Sequence, residues 1–295
     1  MSGIRPPLRI VALAVCSFFV LSGCASGTTE GTHSGYADRQ GPTVIGTDSS
    51  AESRVVAALY GELLTAAGEE VKTASAPYAS AIDTAQAVVD GKISIAPAYE
   101  STLLRAMPGG QTMPGNMEAT LSMALPPGIV ALPAAAAQRG IVLAVTGATA
   151  KRHKLNSPAD LTDLAKAGGH LTLGGSASGD PDAPSVSSLK KAYGVSLTTA
   201  GTSKTADVLV LRGTDPAIAR DGLVVLTDPK SSIPPEHVFP LISAPAVDLP
   251  GRNALARVNT LLTTAQLAAL TSSVNAGEAP GKAARTWLRS KGLLR

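Results

Sequence analysis

Two overlapping pairs, Ser187-x-x-Lys190 and Ser188-x-x-Lys191, are the residues of this chain whose spacing comes nearest to a reaction. A serine one helical turn from a lysine is how some serine acyl-enzymes activate a hydroxyl. The companion Lys-Thr-Gly of those enzymes is missing, so both lysines read as the solvated face of a helix. Gly174-Gly175-Ser176-Ala177-Ser178-Gly179 has the glycine spacing of a loop that cradles phosphate, but Asp180 follows where the phosphate-binding lysine is required. It reads as a turn. His33, His153, His170 and His237 lack metal-ligand spacing and read as surface residues, and no His-Glu-x-x-His, Cys-x-x-Cys or Gly-x-Ser-x-Gly occurs. The expectation is a protein without catalysis, metal or cofactor.

Composition narrows the class further. The 25 lysines and arginines against 22 aspartates and glutamates leave a net charge of +3, with no basic run longer than Lys151-Arg152. A nucleic-acid binder needs a concentrated positive face, so that class is excluded. With 44% apolar and 16% charged residues, the 295-residue chain can fill real cores, and its length suits two domains of roughly 150 residues. The 29 glycines and 21 prolines suit a many-loop α/β fold better than a helical bundle.

The start of the chain reads as an address. Arg5 and Arg9 precede an apolar stretch over 10–21 that is too short to span a bilayer of about 30 Å. It ends in Leu21-Ser22-Gly23-Cys24, which resembles the bacterial lipobox. Residues 1–23 are then a lipoprotein signal peptide and Cys24 becomes the acylated N-terminus, holding the protein at a membrane surface through its acyl chains. Residues 24–41, rich in Gly, Ser and Thr, read as a flexible lipidated tether.

The elements that follow alternate. Strands are expected over 43–46, 71–74, 93–97, 129–132, 141–146, 171–173, 208–211, 223–226 and 238–241. A capping box at Ser49-x-x-Glu52 opens a helix that stops at Gly68. Further helices are expected over 79–90, after Tyr99, from Ser157-Pro158, over 186–193, after Asp215-Pro216, and through most of 252–295, with a second capping box at Thr263-x-x-Gln266. Strands alternating with helices imply parallel βαβ units and an α/β class. Ligands of open α/β sheets bind beyond the carboxyl ends of strands, which makes the loops after Ile45, Pro97, Leu173 and Leu211, and with the first of them Ser49, candidate contacts.

Several segments, in this order, resemble the substrate-binding proteins of ABC importers for osmoprotectants (glycine betaine, choline, carnitine). They are Ile45-Gly46 through Glu52 with Leu59-Tyr60-Gly61-Glu62-Leu63-Leu64, and Asp90-Gly91-Lys92-Ile93 leading to Tyr99-Glu100-Ser101-Thr102, where the family usually has Tyr-Thr-Gly-Thr. Leu143-Ala144-Val145-Thr146 with Ser157 to Leu161, Lys190-Lys191-Ala192-Tyr193-Gly194, and Thr214-Asp215-Pro216 before Gly222-Leu223-Val224-Val225-Leu226 follow. Leu261-Leu262-Thr263-Thr264 and Trp287-Leu288 complete a likeness covering residues 43–292.

The resemblance implies a two-lobed, periplasmic-binding-protein-like (type II) clamshell, with 42–145 plus 245–295 in lobe 1 and 146–244 in lobe 2. It implies a small polar or zwitterionic solute as ligand, an ABC permease in the membrane as partner, and a place on the extracytoplasmic face of a bacterial membrane. Such proteins surround a quaternary ammonium with tyrosine faces, whose quadrupole attracts a cation that cannot donate hydrogen bonds. Tyr99 and Thr102 stand where the family's site residues stand. Arg139 falls near the family's Asn-Thr-Tyr and Arg212 where it commonly has a tyrosine, so the cage is depleted and the ligand is expected to differ. Two guanidiniums in the cleft would disfavour choline and favour ligands carrying an anionic group. The alternative is an envelope protein that kept the scaffold, lost transport and acts through protein partners. Replacing the lipobox cysteine, Cys24→Ser, is expected to abolish fatty-acid labelling and release the protein from the membrane; label retained in the variant would contradict the lipobox reading.

Overall fold

Continuous apolar runs at 95–99 and 238–242, buried on both faces, build the spine of the first half of the molecule. The computed structural model describes residues 41–107, 117–166, 169–201 and 206–295. The first half runs β1 (Thr43–Ile45), α1 (Ala51–Ala66), β2 (Val71–Thr73), α2 (Ala81–Val89), β3 (Ile95–Tyr99), α3 (Glu100–Ala106), α4 (Met117–Ala124) and β4 (Ile129–Ala131). The second half comprises β5 (Ile141–Thr146), α5 (Gly147–His153), a 3-10 turn at Pro158–Asp160, α6 (Leu161–Lys166), β6 (Thr172–Gly174), α7 (Val186–Tyr193), β7 (Thr198–Gly201), β8 (Val208–Arg212), α8 (Ala217–Arg220) and β9 (Leu223–Leu226). The chain then returns through β10 (Val238–Ser243) to α9 (Leu249–Leu261), α10 (Thr264–Asn275) and α11 (Pro280–Ser290).

Two five-stranded sheets result, ordered β2-β1-β3-β10-β4 and β7-β6-β8-β5-β9. The expected parallel pairing holds for β2-β1-β3 and for β7-β6-β8. It fails at the strands that receive the crossing chain: β10 runs antiparallel to β3 and β4, and β5 antiparallel to β8 and β9. Pairing also places β5 in the second sheet and β10 in the first. The chain therefore passes from one sheet to the other between β4 and β5 and returns between β9 and β10.

Each face of the first sheet has its own core, because side chains of a strand alternate. Ile95 and Tyr99 with Val238 and Ile242 face α1, where Val55, Val56, Leu59, Leu63 and Leu64 meet Leu255, Val258, Leu267 and Leu288 of the three C-terminal helices. Ala96, Ala98, Phe239 and Leu241 face the other way, onto Val88, Leu103 and Leu104. The C-terminal helices thus pack back on the first half. The second sheet encloses Leu143, Val145, Leu173, Leu189, Val208 and Val210.

Helix α7 and the Thr263–Gln266 capping box stand where sequence places them. Strand β7, of small polar residues, and helices α4 and α5 are additions. Gly175, at φ +154°, belongs to the glycine-rich turn after β6; a Cβ there would stand 2.3 Å from the backbone oxygen of Val210. That glycine serves close approach of two backbones rather than phosphate binding. Cys24, the leader and residues 24–40 of the tether lie outside the described residues, and no helix among those described is long and apolar enough to cross a membrane.

Candidate functional site

Strand β3 ends at Tyr99, and the same residue is the N-cap of α3 without offering a side-chain cap of its own. The first amides of a helix need acceptors. Here the acceptor comes from the second crossing: Glu236 Oε1 accepts from the Thr102 amide at 2.6 Å, and Glu236 Oε2 from the Thr102 hydroxyl at 3.1 Å. The neighbours repeat the pattern. Ser101 donates to the Pro235 carbonyl at 2.7 Å, and His237 meets Glu100 through Nδ1 at 2.8 Å. His237 is therefore a partner of a buried carboxylate rather than the free surface residue expected. The two crossings also pair with one another, Gln138 bridging His237 and the Arg139 amide donating to the Glu236 carbonyl at 3.0 Å.

This arrangement delivers Arg139. Its Nε donates to Glu236 Oε2 at 3.1 Å and its Nη2 to the Thr102 hydroxyl at 3.3 Å. Its guanidinium carbon lies 3.4 Å from the centroid of the Tyr99 ring, stacked on the face. The Glu236 side chain is fully buried and that of Arg139 is 19% exposed. Burial works against the charge on Arg139, but attraction from Tyr99, Glu236 and Glu52 outweighs it and raises the pKa. Burial, then the charge of Glu52, pushes the Tyr99 hydroxyl well above its ordinary value, so it stays a neutral donor. That hydroxyl donates to Glu52 Oε1 at 2.8 Å.

Glu52 joins the two halves. Its second oxygen accepts from the Thr214 hydroxyl at 2.9 Å, and Thr214 lies in the turn after β8. The capping role that sequence gives Glu52 is absent: the N-cap of α1 is Ser50, which accepts from the Ser53 amide. Ser49, the candidate contact beside it, is exposed. Asp48, buried nearby, accepts from the Ser50 amide and orders the same turn.

Arg212 ends β8 and pairs with Asp180 of the glycine-rich loop, while Asp182 of that loop pairs with Arg105 of α3 across the seam. Of the expected site residues, the structure brings together Tyr99, Thr102 and Arg139, and sets Arg212 on a separate carboxylate. Both arginines are thus compensated. The groups sequence reasoning missed are acidic: Glu52, Glu236, Asp180 and Asp182. Among the described residues, five cavities of about 240 to 780 Å³ are lined by none of Tyr99, Glu52 or Thr102; one of about 410 Å³ borders the crossings at Gln138, Pro235 and His237, and the largest of the five, about 780 Å³, lies between α10 and the Asp215–Arg220 segment.

Residues 41–290 match the family described as the substrate binding domain of the ABC-type glycine betaine transport system. The chain belongs to this family. Among solved structures, a glycine betaine/carnitine/choline ABC transporter protein is similar at 19% identity, covering 86% of this chain and 99% of that one, with a TM-score of 0.74. Apo YehZ from Escherichia coli is similar at 19% identity, covering 86% of this chain and all of that one, with a TM-score of 0.67. At that identity the two support the clamshell fold. No curated protein sequence matches the chain.

Removing one partner of a buried ion pair typically costs about 3–5 kcal/mol because the other charge is left uncompensated, a cost that does not arise when both are removed. Glu236→Ala is expected to destabilise by that order, and the double variant Arg139→Ala/Glu236→Ala by less than the two single losses combined. Chemical denaturation of the four proteins measures the coupling; strictly additive losses would mean the pair acts as two independent residues.

Proposed function

We propose that this chain is the lipid-anchored, extracytoplasmic solute receptor of an ABC importer, taking a small zwitterion of the betaine type in preference to a purely cationic amine. The observation that carries the reading is the part-exposed Arg212 at the end of β8, an anion partner beside a seam whose Tyr99 face is already stacked on a cation of the chain itself. The family supplies the transporter class, and the lipobox-like Leu21-Ser22-Gly23-Cys24 supplies the anchor. A zwitterion brings a carboxylate that can exchange with Asp180 on the part-exposed Arg212, forming a bidentate pair. Choline brings none.

Direct bonds across the seam, Thr214 to Glu52 and Arg105 to Asp182, favour a second reading in which the scaffold stays shut and acts through envelope partners. Calorimetric titration with glycine betaine, carnitine, choline and small anions, with mass spectrometry of solute released on unfolding, separates the two. The receptor reading expects glycine betaine or carnitine to bind at least about tenfold more tightly than choline, a difference of about 1.4 kcal/mol. Silence in every titration and no released solute would favour the partner reading.

A further inference from the structure

We infer that Arg139 is a tethered occupant of the cation site: its guanidinium holds the Tyr99 face against external ammonium ions and so sets the specificity of the seam. This rests on reading the seam as a solute site and goes beyond it, because it names the residue that excludes one class of ligand and the mechanism by which it does so.

Three observations carry the inference. The first is position. The guanidinium carbon lies 3.4 Å from the ring centroid, at stacking distance and well inside the roughly 6 Å over which a cation is held by a ring. A quaternary ammonium and this guanidinium cannot share that face. The second is retention. Glu236 holds Nε and Thr102 holds Nη2, and both anchors are themselves fixed, since Glu236 also receives the Thr102 amide. The Arg139 backbone is pinned to the Glu236 carbonyl as well. A cation delivered on such a tether is present at an effective concentration of about millimolar or higher, which a free amine must exceed. The third is charge. Asp48 and Glu52 act on the Tyr99 hydroxyl, Glu52 and Glu236 act on the guanidinium, and all three are buried, so a cation over the ring is favoured. Arg139 supplies that cation from within the chain.

Binding choline in the wild type would require lifting the guanidinium off the ring and away from Glu236, leaving a fully buried carboxylate without its cation. Vacating Arg139 should open the site. Truncation at Cβ removes more heavy atoms than tetramethylammonium contains, and the Tyr99 face is left bare. Neutralising Glu236 at the same time avoids an unpaired buried carboxylate while its amide oxygen can still accept from the Thr102 amide.

The experiment titrates tetramethylammonium, choline and glycine betaine into the wild type and into Arg139→Ala/Glu236→Gln, by calorimetry and by thermal shift. Where the double variant does not fold by circular dichroism, Arg139→Gln/Glu236→Gln replaces it, since it removes both charges and keeps an amide at each position. The expected result is tetramethylammonium and choline binding at least about tenfold tighter in the variant than in the wild type, the gain disappearing when Tyr99→Leu is added. A wild type that binds choline as tightly as the variant, or a variant that gains nothing, overturns the inference. The two readings fail separately. A wild type that binds glycine betaine beside a variant that gains no amine affinity sinks the tethered occupant alone. A wild type silent toward every solute beside a variant that gains choline sinks the receptor reading alone.

Discussion

One buried ion pair stacked on one aromatic ring sets the geometry of the seam. Arg139 lies between Tyr99 and Glu236, and each of the three groups is placed by a different passage of the chain: the end of β3, the first crossing and the second. An unpaired buried charge costs several kcal/mol, so neither Arg139 nor Glu236 can move alone without leaving such a charge behind. The crossings are therefore held by a polar knot at the point where a clamshell must bend. Glu52 extends it into the second half by accepting from Tyr99 and Thr214 together.

The same knot explains why the beginning of α3 is polar and yet buried. Glu100, Ser101 and Thr102 are three consecutive residues, each bonded to one of the consecutive residues Pro235, Glu236 and His237. The side chains of Glu100 and Ser101 grip the second crossing at His237 and Pro235. A cleft built this way is shut by its own side chains. Solute entry then competes with existing contacts, and affinity is what remains after their loss.

Most elements were legible in the sequence because periodicity and capping residues are local. Helix α7 and the Thr263–Gln266 box needed nothing beyond their own residues. Strand β7 was not legible: Thr198 to Gly201 has no apolar alternation, and it is a strand because β6 offers it an edge. The site was half legible. Tyr99, Thr102 and Arg139 followed from the family resemblance, but their partners did not. Glu52 sits at the fourth position of a Ser-x-x-Glu pattern, which conceals it as a capping residue until Ser50 is seen to cap instead. Glu236 follows two prolines with no periodic signal, and its meaning lies in Thr102, 134 residues away. Asp180 was noticed for failing to be a lysine, whereas its charge serves Arg212. Long-range charge pairing is what a local pattern cannot carry.

The central claim is that Arg139 rests on the Tyr99 ring in the solute-free protein, and the arginine side-chain resonances report it directly. In a spectrum of the protein carrying nitrogen-15 arginine, a guanidinium at 3.4 Å from a ring centroid lies in the shielding cone of that ring. One arginine Nε–H signal should be displaced upfield, exchange slowly with solvent through its bond to Glu236, and return to the ordinary position in Tyr99→Leu. Arginine Nε–H signals all at their ordinary positions and in fast exchange in the solute-free wild type would contradict the account.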